Sequence, residues 1–328
     1  MEPNQDRMSS TQQQLQERIA GTKHIVVHGC CPDGLAAAIL AHDALPDARV
    51  SFLQHKTPEY EKLAAEPNML FIDIVPPPER VEAFAAQGAV VLDHHEKART
   101  ITEACAYGVY SPNLSGAEMA FKYVWNPLRP TRTAQMPNAH YFAELAGIRD
   151  TWRRQDDKWT LACEQAAALA FFPSQNWMDI KNPFSPSNDA LWAERRAIGA
   201  MLFQQKLEST KRSVERAWRV TTNGGNRVVV LGGQNVSDAA ELIGSEADIV
   251  ASFSYKVESG NCMFVAGLRS HTGVDVGDLA VHHGGGGHRN AAGFSMPFET
   301  DPYAPGSLAA VANPFTLFQM LVEQWECS

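Results

Sequence analysis

The stretch HIVVHGCCPDGLAAAILAHDAL, residues 24–45, decides the fold that the sequence predicts. Its first five residues are largely β-branched and apolar, which is typical of a buried strand. A turn follows at residues 29–34, and the alanine-rich residues 35–45 have helical character. The stretch therefore predicts a strand–loop–helix unit, with His28 and Asp33 at the loop.

Two further apolar runs repeat this arrangement. Residues 69–74 end at three prolines, and residues 79–88 then follow with the pattern of an amphipathic helix. Residues 89–92 form another apolar run, which ends at Asp93. Strands that alternate with helices predict an α/β fold with a parallel, doubly wound sheet.

The second half of the chain predicts a different domain. Residues 191–218 have helical periodicity without proline, and three short apolar runs typical of strands come after them. The predicted organisation is a polar N-terminal segment (1–20), a sheet domain (21–190), a connecting helix (191–220) and a smaller C-terminal α/β domain (221–328).

Composition limits the class of function. The 328 residues carry a formal net charge of −9, which disfavours a protein that grips long duplex nucleic acid through a basic surface. A small anionic substrate or a very short oligonucleotide fits better. The polar N-terminus lacks the features of a signal peptide, and no apolar run is long enough to span a membrane, so we expect a cytoplasmic enzyme.

Acidic and imidazole side chains follow the predicted strands. His28 and Asp33 follow the first strand, Asp73 ends the second, and Asp93 and His94 follow the third. Ligands bind outside the carboxyl ends of the strands in open α/β sheets. Carboxylates and imidazoles are ligands for Mn²⁺, and two such ions can assist phosphoryl transfer. The pattern predicts a metal site, although Asp73 alone could also cap a helix.

Two later segments have both a functional and a plainer interpretation. Asp150 is either a further ligand or the ion-pair partner of Arg149 or Arg153. The four glycines at 284–287 either present backbone N–H groups to an anion, as His288 and Arg289 beside them suggest, or form a flexible linker. The apolar residues that follow at once favour the anion-binding interpretation.

The order HGCCPDG, MLFIDI, VVLDHHEK, GIRDTW and GLRSHTGVDVGDLAVHHGGGGHRNAAGF resembles the DHH phosphoesterase superfamily with a C-terminal DHHA1 domain, including its RecJ-like and nanoRNase-like members. The resemblance covers residues 24–155 and 225–296. It implies two Mn²⁺ ions, or Mg²⁺ in their place. The implied metal ligands are His28, Asp33, Asp73, His94 and Asp150; the implied catalytic residues are Asp93 and His95; the implied substrate-binding residues are Arg269, Gly285, Gly286, Gly287, His288 and Arg289.

The implied activity is hydrolysis of phosphate esters in short oligonucleotides or nucleotides by metal-activated water. A 3′-5′ oligonucleotide exonuclease and a nucleotide phosphatase both satisfy this description, and the substrate is expected between the two domains. The alternative is a degenerate relative that binds nucleotide or metal without efficient turnover. A monomer and a homodimer both stay open, and no membrane is expected among the partners.

The first motif departs from the superfamily pattern. Two aspartates separated by one residue are usual there, but this chain has only Asp33, with Cys31 two residues before it and Leu35 two residues after it. If Cys31 replaces a carboxylate, a thiolate would favour a softer ion, whereas a neutral thiol would leave one metal weakly held.

Overall fold

The computed structural model describes residues 10–29, 31–131, 138–171, 183, 186–233, 236–258, 261–297 and 314–328. The chain divides into two compact units, Met1–Phe203 and Gln204–Ser328. Within the described residues, none of the helices is both long enough and apolar enough to cross a membrane.

The first unit alternates strands and helices. Its strands are β1 (His24–His28), β2 (Arg49–Leu53), β3 (Met69–Ile72), β4 (Val90–Asp93) and β5 (Tyr107–Tyr110). Its helices are α1 (Ser10–Ala20), α2 (Pro32–Ala44), α3 (Pro58–Glu61), α4 (Val81–Ala86), α5 (Arg99–Ala104), α6 (Gly116–Met119), α7 (Asn138–Asp150) and α8 (Trp159–Ala170). The chain continues from α6 through a π-helical segment, Ala120–Trp125, into the helical turn Asn126–Leu128.

The five strands form a parallel sheet in the order β2-β1-β3-β4-β5. Alternate residues of one strand pack into different cores, as Ile25 and Val27 do on one face and Val26 on the other. A parallel sheet covered on both faces needs such continuously apolar strands. The predicted α/β fold with a parallel N-terminal sheet is confirmed.

The two edge strands β2 and β5 were not predicted. Their side chains are mostly half-buried, so neither segment has the fully apolar pattern of the inner strands. One residue of β5 is a glycine, Gly108, because a Cβ at this position would stand 1.8 Å from the carbonyl oxygen of Thr102. Close packing against the preceding helix therefore requires a residue without a side chain at this position of β5.

The polar N-terminal segment predicted at residues 1–20 contains α1. Most of this helix is exposed, but Ile19 is fully buried in the core of the first unit. The side chain of Gln16 also donates a hydrogen bond to the carbonyl oxygen of Tyr123 at 3.1 Å. Two contacts thus attach an otherwise hydrophilic helix to the first unit.

The second unit contains a mixed sheet. Its strands are β6 (Trp218–Thr221), β7 (Arg227–Gly232), β8 (Ile249–Glu258), β9 (Asn261–Arg269), β10 (Gly286–His288) and β11 (Ala291–Pro297), in the order β10-β11-β9-β8-β7-β6. Strands β7 and β8 are parallel, and the other pairs are antiparallel.

The second unit also contains helices, and the first of them begins in the first unit. Helix α9 (Asp189–Glu215) crosses the boundary between the units, and α10 (Val236–Ile243), α11 (Val276–His282) and α12 (Pro314–Glu326) follow. The helix predicted at 191–220 is shorter than expected, because Trp218–Thr221 pairs with β7 as β6. Trp218 packs into the core of the second unit, with its ring centroid 6.0 Å from that of Phe315.

Candidate metal centre

The ends of three neighbouring strands meet at one edge of the parallel sheet. His28 ends β1, Asp73 follows β3, and Asp93 ends β4. In the order 2-1-3-4-5 the chain reverses its direction of winding between β1 and β3, and ligands bind at this kind of switch point. The fold therefore brings the predicted residues together at the edge where a ligand site is expected.

Asp73 lies at the centre of this group, in an unusual backbone conformation. Its φ angle is +62°, which is uncommon for a residue other than glycine and most tolerated by Asn and Asp. The residue is 2% exposed, with Oδ1 3.2 Å from His94 Nε2 and Oδ2 3.6 Å from His28 Nδ1. Asp73 thus points one oxygen toward each of two histidines, one at the end of β1 and one directly after β4.

Asp33 is fixed by the beginning of α6. The hydroxyl of Ser115 donates to Asp33 Oδ1 at 2.7 Å, and the N–H of Ala117 donates to the same oxygen at 3.2 Å. Gly116 permits this approach, because a Cβ there would stand 2.5 Å from Asp73 Cβ and 2.8 Å from Asp33 Oδ2. Ser115 therefore does more than begin a helix, since it also orients a predicted ligand.

Two buried carboxylate oxygens in this centre have no hydrogen-bond partner among the described residues: Asp33 Oδ2 and Asp73 Oδ2. A buried carboxylate without compensation is unfavourable, and a cation beside these oxygens would relieve that cost. The donor atoms fall into three groups, each with all its atoms within 4.8 Å of one another. The groups are His28, Cys31 and Asp73; Asp73, His94 and His95; and Asp33, His94 and Asp150. This donor set fits bound divalent cations.

The crowded carboxylates shift one another's pKa. Burial, followed by the charges of Asp150 and Asp73, raises the pKa of Asp33 well above its usual range. Burial and the charge of Asp73 likewise raise the pKa of Asp150. Burial also opposes ionisation of Asp73, but its contacts with His28 and His94 lower its pKa to about 2. Bound cations would relieve this excess of negative charge.

His94 joins the central carboxylate to the end of α7. Its Nε2 lies 3.4 Å from Asp150 Oδ2, and its side chain is largely buried. Burial opposes a positive charge on this ring, but the contact with Asp73 and the nearby carboxylates raise the pKa of His94 to about 9. The structure thus places Asp150 in contact with His94, and the role of both residues as metal ligands stays a prediction.

His95 differs from its neighbour by facing solvent. Its side chain is 52% exposed. The buried Asp93 accepts a hydrogen bond through Oδ1 from the backbone N–H of His95 at 2.7 Å, and the same oxygen contacts His95 Nδ1 at 3.1 Å. The contact with Asp93 raises the pKa of His95 against the effect of burial. Asp93 therefore orients the imidazole of His95, and His95 is the more exposed side chain of the two.

Cys31 and Leu35, which lie on either side of Asp33 in the sequence, have different surroundings in the structure. Leu35 is 5% exposed and packs in the apolar core, whereas Cys31 is half-buried beside His28 and Asp73. Gly34 keeps this turn tight, since a Cβ there would stand 2.2 Å from the carbonyl oxygen of His28. Burial and then the charges of Asp73 and Asp33 raise the pKa of the Cys31 thiol.

His55, which follows β2, is a neighbour of the centre that sequence reasoning missed. Its ring centroid lies 6.1 Å from that of His28 and 5.0 Å from that of Tyr60. Burial, then the charge of His28, lowers the pKa of His55. No motif contains it, and it becomes visible only when β2 is placed beside β1.

The predicted substrate-binding residues lie in the second unit. Arg269 ends β9 and donates through Nε and Nη2 to Ser237 Oγ at 3.1 and 2.8 Å. The register aligns Arg269 with Ala291, and Ala291 with His288. Paired residues of neighbouring strands share a face of the sheet, so Arg269 and His288 face the same side. Ser237 is not among the predicted substrate-binding residues, but its hydroxyl accepts both of these hydrogen bonds from the guanidinium.

The glycine run does not form a free loop along its whole length. Gly286–His288 is the edge strand β10, and a Cβ at Gly285 or Gly287 would stand 2.3 or 2.4 Å from atoms of β11. Gly286 has no atom within 4 Å of such a Cβ. Gly285 and Gly287 therefore permit strand packing, a role that differs from both anion binding and a flexible linker. Arg289 is exposed and donates to the carbonyl oxygen of Gly273 at 2.9 Å.

No protein-family model matches the sequence, and comparison with curated proteins finds no match. Among solved structures, the DHH domain of a member of a ribosomal protein family has a TM-score of 0.59 at 14% identity, covering 95% of this chain and 92% of that chain. Exonuclease RecJ bound to manganese has a TM-score of 0.55 at 16% identity, covering 97% and 93%. PggH, a pGpG-specific phosphodiesterase from Vibrio, has a TM-score of 0.51 at 15% identity, covering 92% and 99%.

These likenesses show the fold. The fold of this chain is similar to that of solved DHH-domain proteins. The predicted resemblance to DHH proteins is confirmed at the level of the fold.

Proposed function

We propose that this protein is a metal-dependent phosphoesterase of the DHH superfamily. The observation that carries the proposal is the central position of Asp73, whose donor atoms join a group with His28 and Cys31 to a group with His94 and His95. A carboxylate shared between neighbouring donor groups is what a two-metal phosphoesterase needs.

His28, Asp33, Asp73, His94 and Asp150 would hold two Mn²⁺ ions, or Mg²⁺ in their place. When bound, such ions neutralise charge on a phosphoryl group and lower the pKa of coordinated water. Buried Asp33 and Asp73 contribute negative charge to this centre, and Ser115 keeps Asp33 in position. A solved RecJ structure with the same fold contains manganese, which supports this choice of ion.

His95 would hold the phosphate of the substrate. Asp93 occupies its Nδ1 and backbone N–H, which leaves Nε2 as the nitrogen for a phosphate oxygen. The raised pKa favours the charged imidazole, and a charged donor makes the stronger hydrogen bond to phosphate. Ester hydrolysis breaks a P–O bond while water supplies the new oxygen. During this step His95 would stabilise the negative charge on the phosphoryl oxygens by donating a hydrogen bond from Nε2.

The proposed substrate is a short oligonucleotide or a nucleotide phosphate. The net charge of −9 disfavours long nucleic acid, and local cations such as Arg269, His288 and Arg289 would bind a small anion. The DHHA1-like unit would supply those residues, and Gly286 would offer its backbone to the phosphate. PggH, which has this fold, is a pGpG-specific phosphodiesterase.

A panel assay with added Mn²⁺ tests the proposal. The substrates are a dinucleotide, 3′-phosphoadenosine phosphate and pyrophosphate. We expect hydrolysis of at least one, and its loss in Asp73→Asn and His94→Ala. Asp47→Asn is the matched control, because Asp47 is an exposed carboxylate on the turn after α2. Hydrolysis that survives both substitutions at the centre would contradict the proposed site.

The second possibility is a degenerate relative that binds nucleotide or metal without efficient turnover. It is favoured by one observation: Leu35 is buried in the core and provides no second carboxylate in the first motif. The two functions separate when ion binding by titration calorimetry is measured beside turnover. Tight binding of Mn²⁺ and a dinucleotide, with no product from any substrate, would favour the binding protein.

A further inference from the structure

Cys31 shares a donor group with His28 and Asp73. Nitrogen, sulfur and oxygen donors of these three residues all lie within 4.8 Å of one another. They come from three different places: the end of β1, the residue before α2 and the residue after β3. Cys31 is a free thiol, so its sulfur is available as a ligand.

A second observation points to a cation at this group. Asp73 Oδ2 is buried and has no hydrogen-bond partner among the described residues, and it lies 3.6 Å from His28 Nδ1. The other oxygen of Asp73 contacts His94. The two oxygens of Asp73 therefore face different donors: Oδ2 faces the group that contains sulfur, and Oδ1 contacts His94, which also belongs to a separate group with Asp33 and Asp150.

We propose that His28, Cys31 and Asp73 form a position selective for a softer divalent ion such as Zn²⁺, while Asp33, His94 and Asp150 form a position for Mn²⁺ or Mg²⁺. This rests on the proposed metal-dependent function and specifies its ions. Thiolate ligands favour zinc over harder ions, whereas carboxylates accept magnesium and manganese. Three protein ligands with an open position are the usual arrangement of a catalytic zinc site. The protein would thus hold two unlike ions.

Cobalt(II) provides a direct test, because a thiolate ligand gives Co²⁺ an intense near-ultraviolet charge-transfer absorption. The full-length protein is stripped of metal, kept reduced and titrated with Co²⁺ alone. We expect one equivalent of this absorption per chain in the unchanged protein and in Cys30→Ser and Cys327→Ser. We expect its loss in Cys31→Ser. Persistence of the absorption in Cys31→Ser, or its absence from the unchanged protein, would overturn the proposal.

Competition between Zn²⁺ and Mn²⁺, followed by calorimetry, tests the selectivity. Cys31→Ser should weaken Zn²⁺ binding by at least about 10-fold, since even indirect ligand support contributes that much. Cys31→Asp should reduce the preference for Zn²⁺ over Mn²⁺ while retaining a ligand at this position. Circular dichroism of both variants verifies the fold, and equal loss of Zn²⁺ and Mn²⁺ affinity in Cys31→Ser would overturn the selectivity.

The outcome is independent of turnover. A cobalt–thiolate absorption in a protein that hydrolyses no phosphate ester supports the sulfur-containing position and contradicts the proposed function. Mn²⁺-dependent hydrolysis without that absorption supports the function and overturns the sulfur ligand.

Discussion

The hydroxyl of Ser115 donates to Asp33 Oδ1 at 2.7 Å and accepts a hydrogen bond from the N–H of Glu118 at 3.3 Å. One side chain thus begins α6 and orients a predicted metal ligand. Glu118 completes the capping box by accepting from the N–H of Ser115 at 3.0 Å. The cap of α6 and the orientation of the predicted ligand therefore depend on the same hydroxyl.

We predict that Ser115→Ala destabilises the protein by about 1–3 kcal/mol, because a cap is lost and a buried carboxylate loses a donor. Mn²⁺ affinity should fall by about 10- to 100-fold, as for other residues that support ligands. Urea unfolding and calorimetry measure the two effects. Ser213→Ala is the control, since its hydroxyl donates to a carbonyl within the exposed part of α9. An unchanged Mn²⁺ affinity in Ser115→Ala would refute the orienting role.

His95→Gln should lower kcat by about 100-fold if the imidazole stabilises charge on the phosphoryl group. Asp93→Asn should also lower kcat, because its carboxylate no longer holds the Nδ1 of His95. Mn²⁺ affinity should change little in either variant, which separates substrate contact from ion binding. His282→Gln, an exposed histidine on α11, serves as the control. A loss of bound metal that accounts for the lost turnover would count against this assignment.

Asp33→Asn should stabilise the ion-free protein at neutral pH. A carboxyl group whose folded-state pKa is raised lowers stability at pH values above its unfolded pKa, since the folded state then holds an unfavourable charge. The amide removes that charge and its oxygen can still accept from Ser115. In EDTA, Asp33→Asn should therefore have a higher Tm than the unchanged protein. Added Mn²⁺ should raise the Tm of Asp33→Asn less than it raises the Tm of the unchanged protein. A lower Tm in EDTA would contradict the argument.

His24 predicts a separate pH dependence at the opposite end of β1. Burial, then the charge of Arg49, lowers its pKa to about 4, and its ring contacts Ser51 Oγ at 2.9 Å. Below the unfolded pKa of about 6.5 the unfolded state binds a proton more readily, so stability is lost as pH falls toward 4. Urea midpoints across this window should fall more steeply in the unchanged protein than in His24→Gln. Parallel slopes would refute the contribution.

The glycine run offers a paired comparison. Gly287→Ala should destabilise the protein by about 1–3 kcal/mol, because its Cβ would stand 2.4 Å from Ala292 Cα. Gly286→Ala has open space and should change stability by less than about 0.5 kcal/mol. If the backbone at 286 binds phosphate, KM should nevertheless rise in Gly286→Ala. Equal unfolding midpoints for the two variants would contradict the packing argument.

The sequence predicts the inner strands and the residues at their ends because both follow from local pattern. Apolar runs at residues 25–27 and 69–72 identify strands, and the carboxyl end of a parallel strand is where a ligand is expected. The predicted ligands His28, Asp73 and His94 consequently meet in space. Their identity as metal ligands stays a prediction.

Other features required the assembled structure. The contact of Ser115 with Asp33 joins residues 82 positions apart in the sequence, and a local sequence pattern cannot predict such a contact. The glycine run supports two interpretations from sequence alone, since strand packing and anion binding both need residues without a side chain. Only placement of β11 shows that Gly285 and Gly287 serve packing.

The left-handed backbone at Asp73 restricts how this protein can change over evolutionary time. Glu is a chemically similar ligand, but it fits a φ angle of +62° less readily than Asp or Asn. The proposed metal binding requires an acid at this position, while the backbone conformation favours a short polar side chain. Under the proposed function few substitutions of Asp73 would be neutral, whereas Asn would fit the backbone without supplying the charge.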